Sequence, residues 1–177
     1  ARGRMTTRTD NTGTTTYTYD NLGRVLTETY PDGSTKQNTY AWASPCYTVT
    51  VTCSNAPTTT TYYDARNRET RSSQKLYNGT LVKTDRQYDT YGLLQKVSVP
   101  FTGTSASKWT TYSYDFFNRT EMIVEPTGRT INYSYSGNTV TEDNGQNTTT
   151  KTYDAMSRLI EVEDNSGTTS YTLHPNG

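Results

Sequence analysis

Residues 19–40 read YDNLGRVLTETYPDGSTKQNTY, and this stretch contains two turns and two strands in a single unit. Asp20 stands at the first position of a type I turn, where its carboxylate accepts backbone N–H groups. Gly23 takes the fourth position, which calls for a left-handed backbone that Gly and Asn tolerate. The β-branched and apolar run Val25 to Tyr30 then makes a strand of about 20 Å. Pro31-Asp32-Gly33 reverses the chain, residues 34–42 return, and Tyr40 opens the next unit.

The unit recurs. Tyr-Asp stands at Tyr19-Asp20, Tyr63-Asp64, Tyr88-Asp89, Tyr114-Asp115 and Tyr153-Asp154. Four residues after each Tyr comes Gly23, Asn67, Gly92, Asn118 or Ser157, followed by Arg24, Arg68, Leu93, Arg119 or Arg158. Ser157 is the exception at the left-handed position: it is strained there or its turn differs. Ala1-Arg2-Gly3-Arg4 fits the same frame. The Tyr intervals are 44, 25, 26 and 39, and the long ones divide at weakened copies, Tyr40-Ala41 and Tyr135-Ser136, while Tyr171-Thr172 opens a truncated one. A second marker recurs about fourteen residues into most copies: Asn11-Thr12-Gly13, Pro31-Asp32-Gly33, Asn78-Gly79, Thr102-Gly103, Pro126-Thr127-Gly128 and Asn165-Ser166-Gly167. Two turn signals per short period spell a chain of β-hairpins. Residues 1–177 therefore read as a single array of about eight repeats, starting near 1, 19, 40, 63, 88, 114, 135, 153 and 171. The chain opens inside a repeat, so it is expected to be a fragment of a larger protein.

Alternation agrees with strands. Residues 47–52, Tyr-Thr-Val-Thr-Val-Thr, put valines on one face and threonines on the other. Tyr17 with Tyr19, Tyr112 with Tyr114, and Tyr133 with Tyr135 each share a face. Two segments leave a helix open: residues 154–163, with Met156, Leu159 and Ile160 at helical spacing, and residues 66–75, with few β-branched residues.

Composition points the same way and excludes several functions. Leu, Ile, Val and Phe number only 23 of 177, against 16 Tyr and 39 Thr, and Thr, Val and Ile together make 51 β-branched residues. The class is all-β. With 17 basic and 17 acidic residues the net charge is zero, which gives no general attraction to nucleic acid. No apolar run is long enough to span a membrane as a helix. The one histidine, His174, excludes multi-histidine metal sites and places His-dependent catalysis at the chain's edge. Phosphate-loop, H-E-x-x-H and G-x-S-x-G motifs do not occur. No catalytic residue, metal or cofactor is assigned.

Tyr-Asp-x-x-Gly-Arg followed by a Pro-Asp-Gly-like turn resembles the YD repeat of the Rhs family, across essentially the whole chain. That family includes bacterial Rhs polymorphic toxins, the B and C subunits of insecticidal Tc toxins, wall-associated bacterial proteins and the animal teneurins. The resemblance implies tandem antiparallel β-hairpins forming a curved sheet or a segment of a β-spiral shell, which in the toxins isolates a C-terminal toxic domain. The Asp-Pro-x-Gly core segment tied to self-cleavage in family toxins has no counterpart here, so neither cleavage nor toxicity carries over. Leu93 breaks the Arg position, and the copies at Tyr40 and Tyr135 lack Asp.

Recurrence also decides how the charged pairs are read. Asp20/Arg24, Asp64/Arg68, Asp115/Arg119 and Asp154/Arg158 could suggest active-site parts, but an enzyme needs one site whereas a repeat needs the same joint many times. The repeat-structural set is Tyr19, Asp20, Gly23, Arg24, Tyr63, Asp64, Arg68, Tyr88, Asp89, Gly92, Tyr114, Asp115, Arg119, Tyr153, Asp154 and Arg158. The tyrosines either pack in ladders or form an exposed platform with Thr for sugars. Trp42 and Trp109, each near the end of a returning strand, are candidate ligand contacts. Cys46 and Cys53 would lie ~23 Å apart on one straight strand, so a disulfide requires a hairpin or a collapsed loop between them. Four sequons, at Asn78, Asn118, Asn132 and Asn147, carry meaning only in a glycosylating host.

The function expected is a non-enzymatic module of a shell enclosing a toxin or other cargo domain, in a secreted or surface-delivered bacterial protein. The alternative is an extracellular module that binds glycans or proteins. Expected partners are adjoining repeats and a cargo domain, with glycans or self-association through strand edges as further ones.

Overall fold

The computed structural model describes residues 3–43 and 46–174 and is all-β, with sixteen strands among those residues. It divides into two compact units. Unit 1 runs to Arg86 and includes Pro100–Ala106; unit 2 comprises Gln87–Val99 and the chain from Ser107 onward. Unit 1 contains β1 (Thr7–Asp10), β2 (Gly13–Tyr19), β3 (Val25–Thr29), β4 (Thr35–Ala43), β5 (Cys46–Cys53), β6 (Ala56–Tyr63), β7 (Glu69–Lys75) and most of β8 (Leu81–Tyr88). Unit 2 contains β9 (Leu94–Ser98), β10 (Trp109–Tyr114), β11 (Thr120–Val124), β12 (Thr130–Ser136), β13 (Thr139–Asp143), β14 (Thr148–Tyr153), β15 (Leu159–Asp164) and β16 (Gly167–Ser170). Within each unit the strands pair antiparallel in chain order, without crossovers. The expectation of tandem hairpins holds. Neither segment that left a helix open is helical: each is the end of a turn followed by a strand, β7 or β15.

One turn geometry serves the Tyr-Asp marker and three copies of the second marker, those at Gly33, Gly79 and Gly128, whereas Asn11-Thr12 and Asn165-Ser166 are two-residue reversals. At Asp20–Arg24, Tyr30–Ser34, Asp64–Arg68, Leu76–Thr80, Asp89–Leu93, Asp115–Arg119, Glu125–Arg129 and Asp154–Arg158, the first residue's N–H donates to the fifth residue's carbonyl. The fourth residue's N–H donates to the first residue's carbonyl, and all these bonds are 2.8–3.1 Å long. This is a type I turn followed by a left-handed residue, whose twist matches that of the flanking strands. The left-handed residues have φ of 60–95°, and Ser157 adopts 60° like the others. Ser157 therefore carries the strain rather than a different turn. Two-residue loops reverse the chain elsewhere, as at Gly137-Asn138 between Ser136 and Thr139 and at Ser54-Asn55 between Cys53 and Ala56.

After four of the Tyr-Asp turns the register slips by one residue. Tyr19 pairs with Val25, Tyr63 with Glu69, Tyr114 with Thr120 and Tyr153 with Leu159, leaving Leu26, Thr70, Glu121 and Ile160 as the extra residues of β-bulges. A bulge strengthens local twist and re-aims the chain, so the same correction is applied copy after copy.

The two faces of the sheet differ. In unit 1 one face is threonine-rich: Thr9 opposes Thr14, Thr18 opposes Thr27 and Thr50 opposes Thr60, with hydroxyls 2.9, 2.6 and 3.0 Å apart. The other bears Tyr17, Tyr40, Trp42, Tyr47, Val49, Val51 and Tyr63. Unit 2 repeats the division, with Tyr112, Ile123, Ile131, Tyr133, Tyr135, Val140 and Val162 on one face. The opposite face is mostly Thr and Ser, and Thr141 and Thr150 hydroxyls meet at 3.2 Å. No hydrophobic side chain is buried among the described residues; the two buried residues are Ser73 and Ser98. Tyrosines on the apolar face are half-buried, and each hairpin is supported by its neighbours instead of by a second layer.

Cys46 and Cys53 stand at opposite ends of β5, which has no reversal between them. Cys53 is a free thiol, while the Cys46 side chain and the outer parts of the first and last motifs, Ala1-Arg2 and residues 175–177, lie outside the described residues.

Replacing half-buried Tyr114 with Ala lowers the melting temperature, with a loss of roughly 1–3 kcal/mol. Tyr114→Phe, which removes only the hydroxyl, costs about 1 kcal/mol. Tyr91→Ala, at a side chain 88% exposed, leaves the thermal melt unchanged. Ser157→Gly raises stability by about 0.5–1 kcal/mol, as relief of the left-handed strain exceeds the added chain entropy of Gly.

Candidate functional site

The repeated site is the Tyr-Asp turn, and four copies share its geometry. Each Tyr of the set, Tyr19, Tyr63, Tyr88, Tyr114 and Tyr153, is the last residue of a strand. The following Asp uses its two carboxylate oxygens differently. Oδ1 of Asp20 accepts the N–H groups of Leu22 and Arg24, both at 2.9 Å, and Oδ2 accepts Nε of Arg24 at 2.6 Å. Asp64 does the same with Arg66 and Arg68, Asp115 with Phe117 and Arg119, and Asp154 with Met156 and Arg158. One oxygen thus closes the turn while the other holds the guanidinium. Glu125 clasps Arg129 through both oxygens, at 2.9 and 2.7 Å, in a turn of the second kind.

The clasped arginine also reaches the next copy. The Arg24 guanidinium lies 4.0 Å from the centre of the Tyr40 ring, and Arg119 lies 4.1 Å from that of Tyr135. The same tyrosines donate their hydroxyls backward: Tyr40 to the Val25 carbonyl at 3.1 Å, Tyr135 to Thr120 at 2.8 Å. Tyr19 to Met5 at 2.5 Å and Tyr114 to Leu94 at 2.8 Å complete the pattern. In all four the acceptor stands two residues after the left-handed position, Gly3, Gly23, Gly92 or Asn118. Tyr, Asp and Arg therefore form a joint between consecutive hairpins. Sequence spacing identified these residues but not their partners, which lie 14–20 positions apart.

Tyr40 and Tyr135 show that the tyrosine's part is separable from the turn's. Both lack the following Asp, yet both keep the hydroxyl bond and the stacked arginine. In the copy at Tyr88, Leu93 replaces the arginine. Asp89 still closes the turn by accepting Leu93 N–H at 2.8 Å.

The tryptophans have different surroundings. Trp42, 81% exposed, borders a cavity of about 640 Å³ with Leu22, Arg24, Tyr40, Tyr47 and Tyr63. Tyr47 and Tyr63 stack there, with centroids 4.8 Å apart and planes 11° from parallel. Trp109 is the first residue of β10, not near the end of a strand, and is half-buried under Lys96, whose Nζ sits 4.8 Å from its ring. Among the described residues no His, Cys, Asp and Glu side chains group to hold a metal ion.

All four clasped aspartates have pKa values below the usual 3.8. For Asp20, partial desolvation pushes upward, but the Arg24 N–H, the Arg24 guanidinium and the Leu22 N–H outweigh it. At Asp154 the Arg158 N–H dominates. A lowered folded-state pKa contributes stability that is complete above the unfolded value and lost as pH falls through the folded one. The melting temperature therefore drops on acidification below about pH 4. Asp115→Asn lowers the melting temperature at neutral pH and weakens this acid dependence; Asp115→Ala, which also removes the N–H acceptor, lowers it further.

The RHS Repeat family model matches residues 1–35. No curated protein sequence matches the chain. Among solved structures, the crystal structure of TcdB2-TccC3 without its hypervariable C-terminal region aligns with a TM-score of 0.65 at 19% identity, over 93% of this chain and 10% of that one. A mutant Tc holotoxin pore from Photorhabdus luminescens aligns with a TM-score of 0.61 at 18% identity, over 89% of this chain and 9% of that one. The TcdB2-TccC3 crystal structure gives a TM-score of 0.58 at 11% identity, over 90% and 13%. This chain thus spans about a tenth of the length of these proteins, and at such identities the likeness is one of fold. The family match thus covers the first turn-and-strand unit, and the Asp–Arg contact of that unit's turn recurs as far as Arg158.

Proposed function

We propose that residues 1–177 form a non-enzymatic wall segment of a β-shell that encloses and shields a toxin or other cargo domain, in a secreted or surface-delivered bacterial protein. The observation that carries this reading is the absence of any buried hydrophobic side chain among the described residues, in a chain whose hairpins are nonetheless joined by recurrent tyrosine hydroxyl bonds. Such a structure extends by adding copies and has no interior of its own; it divides space. The fold shared with stretches of a toxin complex and a Tc holotoxin supports the same reading. So do the apolar tips of the Tyr-Asp turns, where Leu22, Tyr91, Phe116, Phe117 and Met156 are 72–94% exposed. Patches of this kind mark contact surfaces, and in a shell they would meet a neighbouring part of the wall. The array of about eight copies would then be one stretch of a longer series. The outer strands β1 and β16 each pair on one side within their units, offering edges to further repeats or to a second copy.

A second reading, an extracellular binding module, draws on one observation: the exposed Trp42 beside stacked Tyr47 and Tyr63, an aromatic platform of the kind sugars use.

The test reads the gene outward from both ends of this sequence and subjects the full-length product to limited proteolysis. Under the shell reading the gene continues through further repeats to an unrelated domain. That domain resists protease in the intact protein and is cut once Tyr114→Ala and Asp115→Ala loosen the wall. Equal cleavage with and without those substitutions overturns enclosure. A surface anchor with no separate domain, together with glycan binding lost on Trp42→Ala, establishes the second reading instead.

A further inference from the structure

We propose that the slot left open by Leu93 in unit 2 binds a guanidinium group presented by an arginine side chain of a partner polypeptide. The regular copies supply the template. Between Asp20 and Tyr40, and again between Asp115 and Tyr135, the molecule seats a guanidinium of its own, held at 2.6–2.7 Å from a carboxylate oxygen and stacked 4.0–4.1 Å over a tyrosine ring.

The copy at Tyr88 keeps the aspartate turn and the anchored tyrosine of that seat. Asp89 opens the same turn, with the same pair of backbone bonds at 2.9 and 3.1 Å and Gly92 left-handed at φ 95°. The next tyrosine, Tyr114, is anchored in the usual way to the carbonyl two residues beyond, Leu94, at 2.8 Å. The arginine is missing, and Leu93 is too short and uncharged to replace it. A cavity of about 650 Å³ stands there, lined by Asp89, Tyr91, Leu93, Tyr112, Tyr114 and Phe116 among others. The neighbouring Asp115 is already engaged by Arg119 at 2.7 Å, so Asp89 is the carboxylate left for an incoming cation. Its charge is felt across the slot: the Tyr114 hydroxyl is pushed above its usual value by burial, by Tyr112 and by Asp89.

The shape of the site selects the ligand. A guanidinium is planar, stacks on an aromatic ring and forks onto a carboxylate, whereas an ammonium is a point charge with a strong hydration shell. The space exceeds one guanidinium, and its rim carries Tyr91 and Phe116, 88% and 94% exposed. These rings suit the aliphatic stem and flanking backbone of a peptide arginine. The proposal does not depend on the shell reading.

The test titrates the isotope-labelled chain with the peptide acetyl-Gly-Arg-Gly-amide, its citrulline counterpart and guanidinium chloride, following the resonances of Leu93 and Tyr114. The expected result is saturable binding of the arginine peptide with a dissociation constant on the order of 1 mM, weakened about tenfold or more for neutral citrulline. Asp89→Asn, which keeps an acceptor for the turn, abolishes the binding. Leu93→Arg also abolishes it by filling the seat from within, and raises the melting temperature as the regular joint is restored. Absence of saturable shifts, equal binding of citrulline, or undiminished binding by the Leu93→Arg variant overturns the site. Equal affinity for guanidinium chloride and the peptide overturns the assignment to a polypeptide.

Discussion

An arginine set against the tyrosine of the following repeat, as in Arg24 with Tyr40 and Arg119 with Tyr135, ties consecutive hairpins together. The guanidinium is fixed by its own turn's aspartate and lies 4.0 Å from the centre of the next ring, while that ring's hydroxyl reaches back to the carbonyl beside the preceding turn. Exposed ion pairs contribute little alone, about 0–1 kcal/mol each. Here the pair is a pre-organised platform: the aspartate removes most of the arginine's conformational freedom before it meets the ring. A cation over an aromatic face adds about 0.5–1 kcal/mol at an exposed site, and the joint repeats along the chain. Stability accumulates between neighbours, as in other repeat proteins.

That economy explains the composition. A single-layer sheet cannot bury large aliphatic side chains, so a chain rich in Leu and Ile would present them to water. Tyrosine covers area with its ring and satisfies its polar end on a backbone carbonyl. Threonine fits the pleated surface through its β-branch and links strands by hydroxyl pairs such as Thr18 with Thr27. Low aliphatic content combined with zero net charge is therefore the signature of a folded sheet without a core, not of disorder.

The irregular copies show which parts of the joint are independent. Tyr40 and Tyr135 keep the tyrosine's bond without the Asp turn, and Asp89 keeps the turn without its arginine. Ser157 keeps the left-handed backbone without a residue suited to it. The sheet keeps its register where one element is lost, and the copy that lost its arginine is where a cavity lined by Asp89 and Tyr114 stands.

What the sequence determined by itself is local. Tyr-Asp spacing, the Gly or Asn at the fourth turn position and the alternation in residues 47–52 were enough to give strands, turns and repeat frame, since each depends on residues a few positions apart. Residues 66–75 were ambiguous for want of β-branched side chains, and residues 154–163 because Met156, Leu159 and Ile160 also fit a helical spacing; pairing with β6 and β14 makes strands of Glu69–Lys75 and Leu159–Asp164. The one-residue bulges at Leu26, Thr70, Glu121 and Ile160 left no mark in the spacing, and they decide which tyrosines meet which carbonyls. The Trp42 surroundings and the Leu93 slot were equally invisible, being built from residues brought together across strands. Chain order dictated the neighbours, and only the tertiary register decided the partners, because a shift of a single residue moves every side chain to the opposite face of the sheet.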